Sequence, residues 1–225
     1  MLVFPVGTIN SSDSTGTLND ITYTLWEPNN GCHVSRIYHN IVEKFEAGII
    51  TTRQKAEPLL TITYNYDNIF HKEYKQIEHF VRHRKAELHS FYTIDWSSGY
   101  TPDSVASLAS GRWKITIDST LDYSATGNMK SNFGILWNGS AFRIGQIYSV
   151  NTATSVDMLL QYGNLSLTKA QTESNFYPIY NVYFTQNPLS GFQPTVYIGG
   201  DLSNTDFAGY MRSGTVSFIT KYKVR

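Results

Sequence analysis

Two histidines four residues apart, His79 and His83, are the side chains in this sequence best spaced for chemistry. On a helix, residues at i and i+4 share a face, so both imidazoles reach one metal ion, and Glu87 follows four residues later. The order Glu78-His79-Phe80-Val81-Arg82-His83 lacks the zinc-protease pattern, in which a glutamate directly follows the first histidine. Lys75 and Arg82 add positive charge that repels a divalent cation, so the pair reads as part of a solvated or partner-facing polar face. Cys32-His33 sets a thiol beside a base, but neighbours in an extended segment point to opposite sides. Nothing fixes the more distant His39 next to it, and an inert thiol is expected. Glycoside hydrolysis needs paired carboxylates, for which Asp95, Asp118 and Asp122 are candidates. Asp118 and Asp122 stand where strands should end, a position aspartate favours for turns. No Gly-x-Gly-x-x-Gly, phosphate-binding loop or Gly-x-Ser-x-Gly elbow occurs. The expectation is a non-enzymatic chain with no catalytic residue, metal ligand or cofactor.

The elements that position these residues are mostly strands. Period-two alternation runs through Ile21–Trp26, Leu60–Tyr66, Arg112–Asp118, Met158–Tyr162 and Asn181–Thr185. The final stretch, Thr215–Val224, places Val216, Phe218, Thr220, Tyr222 and Val224 on one face. Clusters of Gly, Asn, Ser, Asp and Pro separate these segments, and Asn30-Gly31 and Asn138-Gly139 are tight-turn candidates. One stretch differs: Phe70, Tyr74, Ile77, Phe80 and Val81 follow a helical stripe, predicting an amphipathic helix over about 70–86. Asp67 or Asn68 is its expected cap, and Glu73 suits its first turn. A short helical turn is expected within 101–110, and loops at 119–134 and 151–155. Residues 7–20, small and polar, read as an extended arm or long loop. The fold class predicted is mainly β, an antiparallel β-sandwich or barrel with one packed helix. It forms a single β-rich domain over 1–225, within which residues 100–175 read either as a continuation or as an inserted subdomain.

Composition narrows the function classes. Eighteen basic and eighteen acidic residues in 225 give no net charge, which argues against nucleic-acid binding by bulk electrostatics. A single cysteine excludes an intrachain disulfide framework and a cysteine-built zinc finger. The 14% of aromatic residues argues against disorder. No apolar run approaches the roughly 20 residues of a membrane span. The amino terminus lacks the pattern of a Sec leader, so export is expected only by lysis or within a larger object. Tyr64, Tyr66, Tyr177, Tyr180, Tyr183, Tyr197, Tyr222 and the four tryptophans suit either a sugar-stacking platform or sheet packing and subunit interfaces. Their place within strands favours packing.

The stretch from Glu46 to Gly99 carries Gly48, Arg53, the strand Leu60-Thr61-Ile62-Thr63-Tyr64, and a helix with Ile77, Phe80 and Arg82. It continues into Phe91-Tyr92-Thr93-Ile94-Asp95-Trp96. This order resembles the distal-tail and minor tail proteins of long-tailed bacteriophages, as does the closing strand Gly214–Thr220. It covers about a quarter of the chain, and His83-Arg84-Lys85 stand where those families usually carry a glycine. The resemblance implies a structural virion protein of a phage tail or neck, made in the host cytoplasm. Its copies would form a ring joining the tail tube to an adjacent ring or the receptor-binding apparatus. Its partners would be copies of itself and other tail or neck proteins, with no specific nucleic acid and no membrane insertion. Rings are built from heterologous interfaces, which strand addition can lock. The basic helix face with Lys75, Arg82 and Lys85, the terminal strand with Tyr222 and the arm at 7–17 are the candidate subunit contacts. The alternative is a carbohydrate-binding β-sandwich that contacts the host surface.

Overall fold

A computed structural model describes residues 1–37, 40–44, 50–54, 59–84, 89–117, 133–152, 154–198 and 209–221. The protein is mainly β, with a sheet curled into a half-barrel and one helix longer than two turns. A meander of β1 (Leu2–Val3), β2 (Gly7–Ile9), β3 (Thr15–Leu18) and β4 (Ile21–Thr24) opens the chain. There follow β5 (Cys32–Ile37), β6 (Asn40–Lys44), β7 (Ile50–Gln54), β8 (Leu59–Ile69), α1 (His71–His83) and β9 (Phe91–Ile94). The next group is β10 (Pro102–Ser107), β11 (Arg112–Ile117), β12 (Phe133–Trp137), β13 (Phe142–Thr152) and β14 (Ser155–Gly163). The chain then forms α2 (Leu167–Thr172), β15 (Asn175–Phe184), β16 (Gln193–Ile198) and β17 (Gly209–Thr220).

Fifteen of these strands join one sheet, and β15 is where it divides. Ile179 pairs with both Phe133 and Ile94, and Val182 with both Phe91 and Thr220. Since a strand has two edges, β12 and β17 must follow one another along one edge of β15 while β9 takes the other. One branch therefore runs β12-β13-β14-β11-β10, and the other β17 to β8 and β5, with β16 on the far side of β17. Pairing is antiparallel except between β1 and β9, where Val3 meets Tyr92 in parallel.

Each branch has its own apolar cluster. In the first, Val105, Ile115, Ile117, Val156, Met158 and Phe176 pack beneath α2. In the second, the predicted alternation of β8 places Leu60, Ile62, Tyr64 and Tyr66 in the core opposite Val216 and Phe218. Residues 100–175 thus build most of the first cluster, but their Ile135, Trp137, Phe142 and Ile144 join Val3, Val6, Ile9 and Leu25 in a third, and their sheet is continuous with the rest through the β12–β15 ladder.

The helix lies where its stripe predicts, with Ile77, Phe80 and Val81 buried, while residues 85–86 lie outside the described residues. Its start is a correction. The cap is Phe70, whose backbone N–H donates to the Glu73 carboxylate. Asp67 and Asn68 serve the sheet instead: Asp67 Oδ1 accepts from Ser213 Oγ, and Asn68 Oδ1 accepts from Thr195 Oγ1. Two further expectations change. Residues 102–107 form strand β10, because Pro102 and Val105 are buried against the β11 ladder, and the helical turn expected within 101–110 is confined to a short 3-10 turn at Ala109–Gly111. The polar stretch 7–18 is no free arm: it forms β2 and β3, folded onto the body. Its glycines allow close backbone approach, since a Cβ on Gly7 would stand 2.5 Å from Thr17 O and one on Gly16 2.7 Å from Val6 O.

Candidate functional site

The side chains singled out for chemistry fall in three separate places. The first is the exposed face of α1. Lys75 Nζ lies 2.6 Å and Arg82 Nη2 2.8 Å from the carboxylate of Glu78, so one acid serves both bases. Burial works against ionisation of Glu78, but these hydrogen bonds and the neighbouring positive charges outweigh it and hold its carboxyl below the ordinary glutamate range. The two bases remain largely exposed and present a basic ridge. Lys85, the third candidate contact, and Tyr222 lie outside the described residues. Replacing Lys75 and Arg82 together by glutamate is expected to leave the monomer folded. Two exposed helix pairs of about 0.3–0.5 kcal/mol each are lost and like-charge repulsions of similar size with Glu78 are gained, so the cost is about 1–2 kcal/mol in all and lowers the unfolding midpoint without unfolding the chain. The same change should impair assembly if this face meets a neighbour, which sedimentation of wild type and variant would read.

His79 does not pair with His83 around a common point. Its Nδ1 lies 2.8 Å from Tyr23 Oη and its Nε2 3.1 Å from Asn19 Nδ2, so both ring nitrogens are engaged in holding the β3–β4 hairpin on α1. His83 is largely exposed; the partial desolvation of its ring, then the positive charge of Arg84 and His79, pushes its imidazole below the ordinary histidine range. Among the described residues no group of three His, Cys, Asp or Glu is placed to hold a metal ion.

Gln76, one turn before Phe80, escapes any reading by apolar periodicity. It is buried, accepts from Trp26 Nε1 at 3.1 Å, and donates to Thr24 O at 3.2 Å and Pro5 O at 3.4 Å. Its amide thereby bolts the amino-terminal meander to the helix. The available signal was its position next to Ile77 and one turn before Phe80, at the border of the apolar stripe, where a polar residue needs partners.

The second place is the interior beside Cys32. Cys32 opens β5 opposite Tyr64, and its thiol is pushed up to about 12, first by burial and then by the charge of Asp95. Asp95 is fully buried, with Oδ1 accepting from the N–H and hydroxyl of Ser97. This carboxylate closes the turn after β9; its side chain has no access to solvent. Both causes disfavour the thiolate, the nucleophilic form of the side chain. At pH 8 a thiol with a pKa near 12 holds on the order of 10³ times less thiolate than one near 9. Thiol-reactive labelling of the folded chain should be slower than that of the denatured chain by a comparable factor. Equal rates would show Cys32 to be open. Asp118, Asp122, Glu87 and His39 lie outside the described residues.

The third place comprises the aromatics and the sheet edges. Tyr64, Tyr66, Tyr177, Tyr180 and Trp137 are buried. Trp96 packs edge-on against Tyr177 and Trp137, and Trp137 Nε1 donates to Glu27. Most of the suggested sugar platform is therefore spent in packing. Tyr197 is the exception, 63% exposed, its ring tilted against that of the exposed Tyr210 with centroids 5.0 Å apart. Both stand on the β16–β17 hairpin, and among the described strands β16 pairs only with β17. At the far end of the same branch β5 pairs only with β8. In the chain between β5 and β8, β6 and β7 form a separate two-stranded sheet in which Asn40 faces Gln54.

No protein-family model matches the chain, and a comparison with curated proteins gives no significant match. Among the described residues no helix is long and apolar enough to cross a membrane.

Proposed function

We propose that this chain is a structural virion subunit of a bacteriophage tail or neck. Copies of it close into a ring that joins the tail tube to an adjacent ring or the receptor-binding apparatus. The role is geometric and non-enzymatic, its partners are further copies and other tail proteins, and its place is the virion. The resemblance of residues 46–99 and of the closing strand supplies the family.

The observation that carries the assembly is the β6–β7 hairpin. It pairs with no other described strand, and an isolated two-stranded hairpin is marginal in water. A neighbouring subunit supplies the surface such a hairpin needs. The carbohydrate-binding alternative draws less support, because the aromatic rings it requires are largely buried in the core.

Removing the hairpin tests the reading. Ile37 and Leu59 are direct register partners, so an Asn-Gly turn can replace residues 38–58 without disturbing the β5–β8 ladder. The full chain is expected to form closed rings in negative stain at high concentration, and the shortened chain to remain a folded monomer. Rings from both chains would remove the hairpin from the interface, and rings from neither would overturn the assembly reading.

A further inference from the structure

The branch β5-β8-β17-β16 ends in two strands that each have one partner among the described strands. From the geometry of these two edges we infer that β16 of one subunit adds to β5 of the next, extending the sheet from copy to copy. The inference rests on the ring reading above and adds to the hairpin contact a second one, neither sufficient for closure without the other.

Direction, length and chemistry all bear on it. Every pairing in this branch is antiparallel, so across four strands the two edge strands run in opposite directions. Repeating the sheet head to tail then places β16 antiparallel to the neighbour's β5, in the same alternation as the rest. An odd number of strands would have forced a parallel junction. Both edges are six residues long, Cys32–Ile37 and Gln193–Ile198.

Monomeric proteins commonly blunt an edge with charged side chains. β16 carries none, and Val196 and Tyr197, on opposite faces of the strand, are both more than half exposed. Pro194 and the irregularity between Pro194 and Tyr197 limit free pairing along part of the strand. The edge is thus selective and still open at its carboxyl-terminal half. At the other end Ile37 is 41% exposed on β5. The contact is heterologous, since β16 meets β5 and not a second β16, and heterologous contacts generate rings when the rotation between copies closes.

Face matching sets the register. On β8, Ile62 and Tyr64 point into the core, so their neighbours Thr61 and Thr63 face away from it, together with their β5 partners Ser35 and His33. On β17, Arg212 crosses the Tyr74 ring of α1, so that side faces the helix. Tyr210, two residues away, and its partner Tyr197 share the helix side, which leaves Val196 on the outward face with Ser35 and His33.

Disulfide trapping tests the contact. Each chain carries Val196→Cys with His33→Cys, Ser35→Cys or Ile37→Cys in turn, in a Cys32→Ser background. Within one chain β8 and β17 separate these positions by about 14 Å, too far for a disulfide, so any cross-link joins two copies. The expected result is a ladder of covalent multimers under mild oxidation for one of the three pairs, and none for the single-cysteine chains. Val196→Lys, at an exposed position, should leave the monomer's unfolding midpoint unchanged. It should move the concentration of half-assembly upward by about tenfold or more. Rings without a ladder from any pair would overturn the β16–β5 contact and leave the ring reading standing. A dimer from Val196→Cys alone would overturn it in favour of a two-fold β16–β16 contact. A chain that neither assembles nor cross-links at any concentration would overturn both.

Discussion

Replacing Phe4 by alanine is expected to destabilise the fold by about 3–5 kcal/mol. Phe4 is 1% exposed, and its ring stands 5.2–6.3 Å from those of Tyr64, Phe80, Phe91, Phe184 and Phe218. These five rings come from β8, α1, β9, β15 and β17, so one side chain from the amino-terminal meander fills the space where helix and sheet converge. Truncation leaves a ring-sized void whose walls are held by separate elements and cannot collapse together. Offset and edge-on aromatic contacts add to the area term and are lost with it. Denaturant titration of wild type and variant checks the figure. A loss under about 1 kcal/mol would mean that the meander does not close this core.

The second large effect is expected at Gly163, at the end of β14. Its φ is +90°, and a Cβ there would stand 2.1 Å from the backbone oxygen of Phe142 and 2.7 Å from its ring. That oxygen accepts from Leu165 N–H at 3.1 Å, so it cannot retreat without breaking the bond that leads the chain toward α2. Gly163→Ala therefore combines left-handed strain of about 1–2 kcal/mol with overpacking of about 1–3 kcal/mol. Gly139 provides the control. Its φ is +92° with nothing within 4 Å of the added Cβ, so Gly139→Ala carries the strain alone. The difference between the two midpoints measures the clash, and equal losses at both sites would show that none exists.

How much was legible in the sequence depended on how local its cause was. The stripe Tyr74, Ile77, Phe80 and Val81 marked α1, and the alternation of Leu60 to Tyr66 marked β8, because each element buries a face that its own periodicity describes. Asn138-Gly139 announced its turn because a positive φ selects glycine. β2 and β3 were missed for the opposite reason. Gly7 and Gly16 are small because other strands approach them, and a run of small polar residues looks the same in a loop. β10 was missed because Thr101-Pro102-Asp103-Ser104 resembles a helix start, and only the β11 ladder makes it a strand. The division of the sheet at β15 had no local signal, being fixed by which strands reach Ile179 and Val182.

The candidate contacts divided in the same way. The basic residues of α1 were readable as a face, but their sharing of Glu78 depends on side-chain placement. The open edges of β5 and β16 could not be read at all, since an edge is defined by what does not pair with it. An inert Cys32 was expected because its neighbour His33 points to the opposite side of an extended segment. What disfavours its thiolate, burial and the charge of Asp95, depends in part on a residue more than sixty positions away.

Native mass across a concentration series, by mass photometry or sedimentation, tests the central claim most directly. The account predicts that the 25.5 kDa chain gives way with rising concentration to a closed species of fixed copy number, without a continuous spread of larger sizes. A single 25.5 kDa species at every concentration would contradict it.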